Sequence, residues 1–157
     1  MNGVGKTNVL DAIYAACTGR CYFNRSDKYN IQQGREYGVV NAIIEKDGEE
    51  RQIIIGLRLR GAKSIKIDQG KNIRITDYIG RFPVVIVCPG DILLINGKSE
   101  DRRKFLDGII SQAEPQYLAD LMTYGKVLDM RNKQLKQFAE RDFFDQDLLD
   151  SIDQQMI

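Results

Sequence analysis

Residues 5 to 7 read Gly-Lys-Thr, and a run with helical spacing follows at once: Val9, Leu10, Ala12, Ile13, Ala16 and Cys17. No other feature constrains the chain as tightly. A helix that starts on such a step turns free backbone N–H groups and the positive end of its dipole toward one point. Lys6 and Thr7 add an ammonium and a hydroxyl beside that point. This is the end of a phosphate-binding loop, G-x-x-x-x-G-K-[ST]. In such a loop Gly3 and Gly5 let the backbone curl so that its N–H groups face phosphate oxygens. Lys6 then brings charge to the outer phosphates, and the Thr7 hydroxyl sits on a magnesium ion. The pattern's first Gly would fall one residue before Met1, and the apolar strand that feeds such loops does not precede it. The opposing reading is a glycine-rich N-cap without function. Gly97-Lys98-Ser99 is a second copy of the tripeptide; Ile92 stands five before Gly97, and the interval Leu93-Leu94-Ile95 is apolar, so it reads as a turn before a helix.

Composition narrows the classes. A chain of 157 residues with 43% apolar and 29% charged residues is one globular domain of ordinary size. A net charge of +1 excludes a uniformly basic DNA-coating protein. No run reaches the roughly 18 apolar residues of a membrane span, and no signal segment opens the chain. His is absent, which removes the commonest general base and zinc ligand. Cys17, Cys21 and Cys88 form no C-x-x-C pair; they read as buried or idle thiols that suit a reducing cytoplasm.

Gly19 is a plausible C-cap for the first helix. Residues 20–36 are polar, with Tyr22 and Phe23 as large anchors. Val39–Ile44, Arg51–Arg60 and Ser64–Asp68 are β-like, separated by Lys46-Asp47-Gly48 and Gly61, and Asp68-Gln69-Gly70 leads on to Ile73-Arg74-Ile75. The expected form is an antiparallel meander. From Arg51 to Ile75 there are seven Lys/Arg and one acid, Asp68. Alternation puts Leu57, Leu59, Ile65 and Ile67 on the core side and Arg58, Arg60 and Lys66 on the other. That second face is either a solvated surface or a basic face for phosphates.

Phe82–Cys88 is a continuous apolar run ended by Pro89-Gly90-Asp91, the pattern of a strand buried on both faces. Ser99 reads as the N-cap of a helix with Glu100 and Asp101 in its first turn and Phe105, Leu106, Ile109 and Ile110 as its stripe. Arg102 and Arg103 fall where the dipole disfavours cations, so either an ion pair or a phosphate or carboxylate partner holds them. Pro115 starts another helix; Tyr117, Leu121, Tyr124, Leu128, Arg131, Leu135 and Phe138 keep a 3–4 spacing that Arg131 interrupts. After a break near Asp142, Phe144, Leu148, Ile152 and Met156 offer a second stripe, and the pair predicts an antiparallel helical hairpin.

The order of these pieces resembles the N-terminal lobe of the RecF recombination-repair ATPases. The resemblance rests on Asn2-Gly3-Val4-Gly5-Lys6-Thr7-Asn8 with Leu10-Asp11-Ala12-Ile13-Tyr14, on Pro83-Val84-Val85 to Pro89-Gly90-Asp91, and on Gly97 to Asp107 with its Arg-Arg-x-Phe-Leu-Asp block. Tyr117, Tyr124, Leu128, Arg131-Asn132 and Leu135 extend it. It implies an α/β fold: a P-loop NTPase of ABC-ATPase (SMC/RecF) type, its N-terminal lobe carrying the antiparallel meander plus a helical hairpin. Residues 1–112 would be the partial ATPase lobe and 113–157 the incomplete hairpin of the second lobe. It implies ATP and Mg2+ as ligands, with Asn2, Gly3, Val4, Gly5, Lys6, Thr7 and Asn8 around the nucleotide and Thr7 on the metal. It implies ATP-dependent homodimerisation, binding to DNA gaps and single-strand junctions, and mediator proteins that load the recombinase and support replication and the SOS response. Arg58, Arg60, Lys66, Arg102 and Arg103 become candidate DNA contacts.

The departures are concrete. Gly90 stands where the family usually has Glu, and no signature motif of the Leu-Ser-x-Gly-Gln kind and no Walker B strand follow. The signature acts across a dimer, and the Walker B acid positions magnesium and the attacking water. The expectation is a fragment, or a chain with a misplaced start, that binds nucleotide poorly, does not turn it over and is marginally stable. The alternative is a non-catalytic DNA- or protein-interaction module with an inert loop remnant. An unrelated P-loop kinase or GTPase fits less well, because those folds continue with βα units rather than a meander.

Overall fold

The computed structural model describes residues 5–24 and 26–156. Its contacts divide the chain into two units, one running to Phe105 and one from Leu106.

In the first unit, α1 (Lys6–Thr18) is followed by a three-stranded antiparallel sheet, β1 (Tyr37–Lys46), β2 (Glu49–Arg58) and β3 (Ser64–Ile67), in the order β1-β2-β3. The β1–β2 turn is Asp47-Gly48, both at positive φ (55° and 79°), which suits the twist of a two-residue hairpin. Register pairs Ile53 with Ala42 and Ile67, and Ile55 with Val40 and Ile65. Ile53, Ile55, Leu57 and Ile65 are therefore on one face, and all four are buried with Ile31, Tyr78 and Phe82. Leu59 departs from the expected alternation: β2 ends at Arg58, and Leu59 is 49% exposed in the turn beyond it. The meander has three strands. Ile73 reaches back with one N–H to Ile65 O at 2.8 Å, but the chain then turns into α2 (Ile75–Tyr78).

Gly19 ends α1 in the left-handed region at φ 75°. A Cβ there would lie 2.9 Å from Ile65 Cδ1, so this position needs glycine both for its φ and for the close approach of helix and sheet. Lys63 Nζ donates to Gly19 O at 2.9 Å and pairs with Asp27 at 2.8 Å, putting a cation at the helix C-terminus. The Tyr78 hydroxyl donates to Ala16 O, one of the last-turn carbonyls without a partner inside the helix.

The apolar run at 82–88 is not a strand among the described residues. Phe82 is buried, but Val85 and Val87 are 70% and 82% exposed. A strand needs a continuous ladder as well as apolar side chains, and the described residues show no such ladder along 82–88, which leaves Val85 and Val87 facing solvent. A 3-10 turn (Pro89–Ile92) and α3 (Leu93–Asn96) lead to α4 (Ser99–Ala113), which belongs to the first unit as far as Phe105.

In the second unit α5 (Pro115–Arg141) and α6 (Gln146–Asp153) form the expected hairpin. Asp142 caps α5 at φ 47°, and Asp145 caps α6 by accepting from Leu148 N at 2.9 Å. Phe138, Leu149 and Ile152 are buried together with Val127. The α6 stripe is thus Leu149 and Ile152, an i, i+3 pair, whereas Leu148 is exposed and Phe144, also exposed, lays its ring edge-on against Phe138 before the helix starts. Arg131, the break in the α5 stripe, reaches Asp153 at 2.6 Å.

Candidate nucleotide site and its supports

Gly5 is the N-cap of α1 in the left-handed region, φ 83° and ψ 12°, and the first helical bond runs from Val9 N–H to Gly5 O at 3.1 Å. Among the described residues no side chain caps this end, and a Cβ on Gly5 would meet none of their atoms within 4 Å. Lys6, Thr7 and Asn8 are exposed, and Lys6 makes no ion pair among the described residues. The chemistry available at this helix start, backbone N–H groups with an accessible ammonium and hydroxyl, is of the kind that suits phosphate and a hard cation. Asn2, Gly3 and Val4 lie outside the described residues.

A network ties α1 to the 88–92 turn. Asp11 Oδ1, on α1, accepts from Tyr22 N at 2.6 Å. The Tyr22 hydroxyl donates to Asp91 Oδ1 at 2.7 Å and lies 3.6 Å from Cys88 Sγ. Asp91 Oδ2 accepts from Cys88 N–H at 2.7 Å, closing the turn. Asp91 is held below the usual carboxylate range by the Cys88 N–H and then by Tyr22. Tyr22 is pushed far above the usual phenol range by burial and by its bond to Asp91. Its ring also packs edge-on against Tyr14 at 5.3 Å. The sequence marked Tyr22 only as an anchor and Asp91 only as a turn residue; the 69-residue separation between them hides the pair.

Beside α1, Asn8, Val9, Ala12 and Ile13 face Val40, Asn41 and Ala42 of β1 across an open groove of about 300 Å³. Val9, Leu10 and Ile13 are exposed, so the apolar stripe of α1 is covered only near its C-terminal half, at Ala15, Ala16 and Cys17. Burial raises the Cys17 and Cys21 thiols above their usual range, and both are free, as is Cys88.

The candidate DNA contacts fall in two places. Arg58 and Lys66 are exposed on the outward face of the sheet, and Arg60 is exposed in the turn after β2. Arg102 is occupied differently from either sequence expectation: its guanidinium donates to Gly97 O at 3.1 Å and Leu94 O at 3.4 Å, capping α3. Arg103 donates to Ser99 Oγ at 3.3 Å, and the ion pair of this helix start is Lys104 with Glu100.

No protein-family model matches the chain. It is 44% identical over 156 residues to the DNA replication and repair protein RecF of Flavobacterium johnsoniae, an alignment covering 99% of this chain and 43% of that protein. Among solved structures, the recombination mediator protein RecF-ATPrS in the RecFOR pathway superposes with a TM-score of 0.91 at 32% identity, over 99% of this chain and 42% of the other. The corresponding RecF-ATP structure gives 0.90, also at 32% identity. The chain spans about two fifths of the length of the relatives it matches.

Proposed function

We propose, for a chain homologous to the RecF proteins over nearly its whole length, a nucleotide-governed DNA-binding role in replication and recombinational repair. The observation that carries this reading is the start of α1: a left-handed Gly5 with no capping side chain among the described residues, followed by exposed Lys6 and Thr7. On this reading residues 2–8 enclose the phosphates of ATP, with Lys6 on the outer phosphates. Thr7 offers its hydroxyl to Mg2+, which would offset phosphate charge when bound. Residues 1–112 act as the ATPase lobe and 113–157 as part of the hairpin of a second lobe. Arg58, Arg60 and Lys66 contact gapped or single-stranded DNA. Arg103 can join them, whereas Arg102 serves first to cap α3. ATP-dependent pairing of two copies and contact with recombination mediator proteins belong to the same reading, as do a cytoplasmic location and a part in the SOS response.

Titration calorimetry of magnesium-ATP into this chain, with Lys6→Ala as control, tests the proposal. Lys6-dependent binding is expected, together with DNA affinity that changes when ATP is added. DNA binding indifferent to both ATP and Lys6→Ala would overturn it in favour of a non-catalytic interaction module.

A further inference from the structure

Six of the seven basic residues from Arg51 to Ile75 sort into two groups; the seventh, Lys71, is exposed beyond β3. Arg51 pairs with Asp68 at 2.9 Å and with Glu49, Lys63 with Asp27 at 2.8 Å, and Arg74 with Asp77 at 2.9 Å. Arg58, Arg60 and Lys66 have no carboxylate within ion-pair distance among the described residues, and all three are exposed. Arg58 and Lys66 share the outward face of the sheet, from the middle of β2 to its end, and Arg60 lies in the turn just beyond. Arg58 ends β2, Lys66 lies opposite Ile54 on the same outward face, and Arg60 follows in the turn whose Leu59 N–H donates to Glu36 O at 2.8 Å.

Directly across the ladder from Arg58 is Tyr37, 71% exposed, and the next outward residue on β1 is Val39, opposite Gly56. Gly56 in turn pairs with Ser64. This end of the face is therefore a floor of one aromatic ring and small side chains, rimmed by unpaired cations. The acids of the β1–β2 ladder's outward face, Glu45 and Glu50, pair with each other at its far end. A ring lying open among phosphate-seeking cations matches a single strand, whose bases have free faces to stack. A duplex offers phosphates but hides those faces.

We propose that the Tyr37–Arg58 end of the outward sheet face is a single-stranded DNA platform, with Tyr37 stacking on an unpaired base and Arg58, Arg60 and Lys66 holding phosphates of that strand. It rests on the DNA-binding reading above for the class of partner and adds the strand state and the stacking residue. The test is fluorescence anisotropy with a labelled oligothymidylate and a labelled blunt duplex over a salt series. Tyr37→Ala and Tyr37→Leu should each weaken oligothymidylate binding about tenfold and move duplex binding less than about twofold, while Tyr37→Phe keeps both. Arg58→Ala should reduce the single-strand salt slope by about 0.7. Tyr37 is exposed, so melts of its variants should overlay the wild type, and Tyr37→Leu keeps a strand-compatible apolar side chain should alanine loosen β1. Single-strand affinity unchanged in both variants, equal losses on duplex and single strand, or no DNA binding by the wild type would each overturn the platform. Calorimetry on the same samples separates the two readings. Lys6-dependent ATP binding without a Tyr37 effect removes the platform alone. Tyr37-dependent DNA binding in a chain that ignores ATP and Lys6→Ala removes the nucleotide-governed reading alone.

Discussion

Tyr78→Phe isolates one hydrogen bond that anchors α1. The Tyr78 ring is fully buried against Phe82, with centroids 6.0 Å apart, and phenylalanine keeps that packing. What is lost is the hydroxyl that serves Ala16 O, a helix-end carbonyl in a residue only 2% exposed. A buried acceptor left without a donor costs about 1–3 kcal/mol, so we take about 2 kcal/mol near neutral pH. For a chain of this length that corresponds to a fall in Tm of about 4–8 °C. The pH dependence has a definite sign. Burial raises the Tyr78 phenol above its unfolded value of about 10, so its contribution is complete below about pH 10 and declines as the unfolded chain ionises. The decline is about 1.4 kcal/mol per pH unit, and the wild-type advantage should vanish between about pH 11 and 12. Urea melts of the two proteins from neutral to alkaline pH measure the difference directly. A variant as stable as the wild type at pH 7, or a difference that stays constant through pH 12, would refute the argument.

Gly19→Ala should destabilise by about 2 kcal/mol in the same melts, because it combines a positive φ with a 2.9 Å approach to Ile65 Cδ1. Tyr22→Phe frees one side of the 88–92 turn and should raise the rate at which a disulfide reagent labels Cys88, with Cys17 and Cys21 changing little; an unaltered Cys88 rate would show that the turn stands without the phenol. Arg131 lowers the Asp153 carboxyl, so the support this pair gives α6 is present above the ordinary carboxylate range and is lost as pH falls through the lowered value. Hydrogen exchange over 146–153 should quicken in that acid window for the wild type and at all pH values for Asp153→Asn. Val87→Lys should raise solubility while leaving unfolding free energy within about 0.5 kcal/mol, since Val87 is 82% exposed.

The features legible in the sequence were those carried by local periodicity and turn chemistry. Asp47-Gly48 and alternating apolar residues gave the β1–β2 hairpin, and Gly19 and Asp142 marked the ends of α1 and α5. The helical spacing after Thr7 gave α1, although not which part of its stripe would be covered. Hydrophobicity failed at Val85 and Val87, because an apolar run states a preference for burial but not which of its side chains the fold covers. It failed again at Leu148, where two adjacent leucines leave the phase of the stripe open and the fold buries Leu149 instead. Arg102 and Arg131 were visible as charges out of place, but their partners, backbone carbonyls in one case and a carboxylate 22 residues on in the other, are products of folding.

Apart from the Asp11–Tyr22 bond, the bonds that fix α1 and the residues after it have far ends encoded much later. Gly19 is held by Lys63 across 44 residues, Ala16 by Tyr78 across 62, and Tyr22 meets Asp91 across 69. During synthesis α1 leaves the ribosome long before anything it docks on. At about 5–20 residues per second the gap from Thr18 to Asp91 lasts roughly 4–15 s. Until the sheet and Tyr78 follow, Ala15, Ala16 and Cys17, the part of α1 covered in the folded chain, lack their cover. The β1–β2 hairpin closes on nearby residues and can form as soon as it emerges, so the meander is the template and α1 the late arrival. A chain stalled soon after β3 would therefore carry a formed hairpin and an α1 without the Tyr78 and Asp91 contacts that fix it.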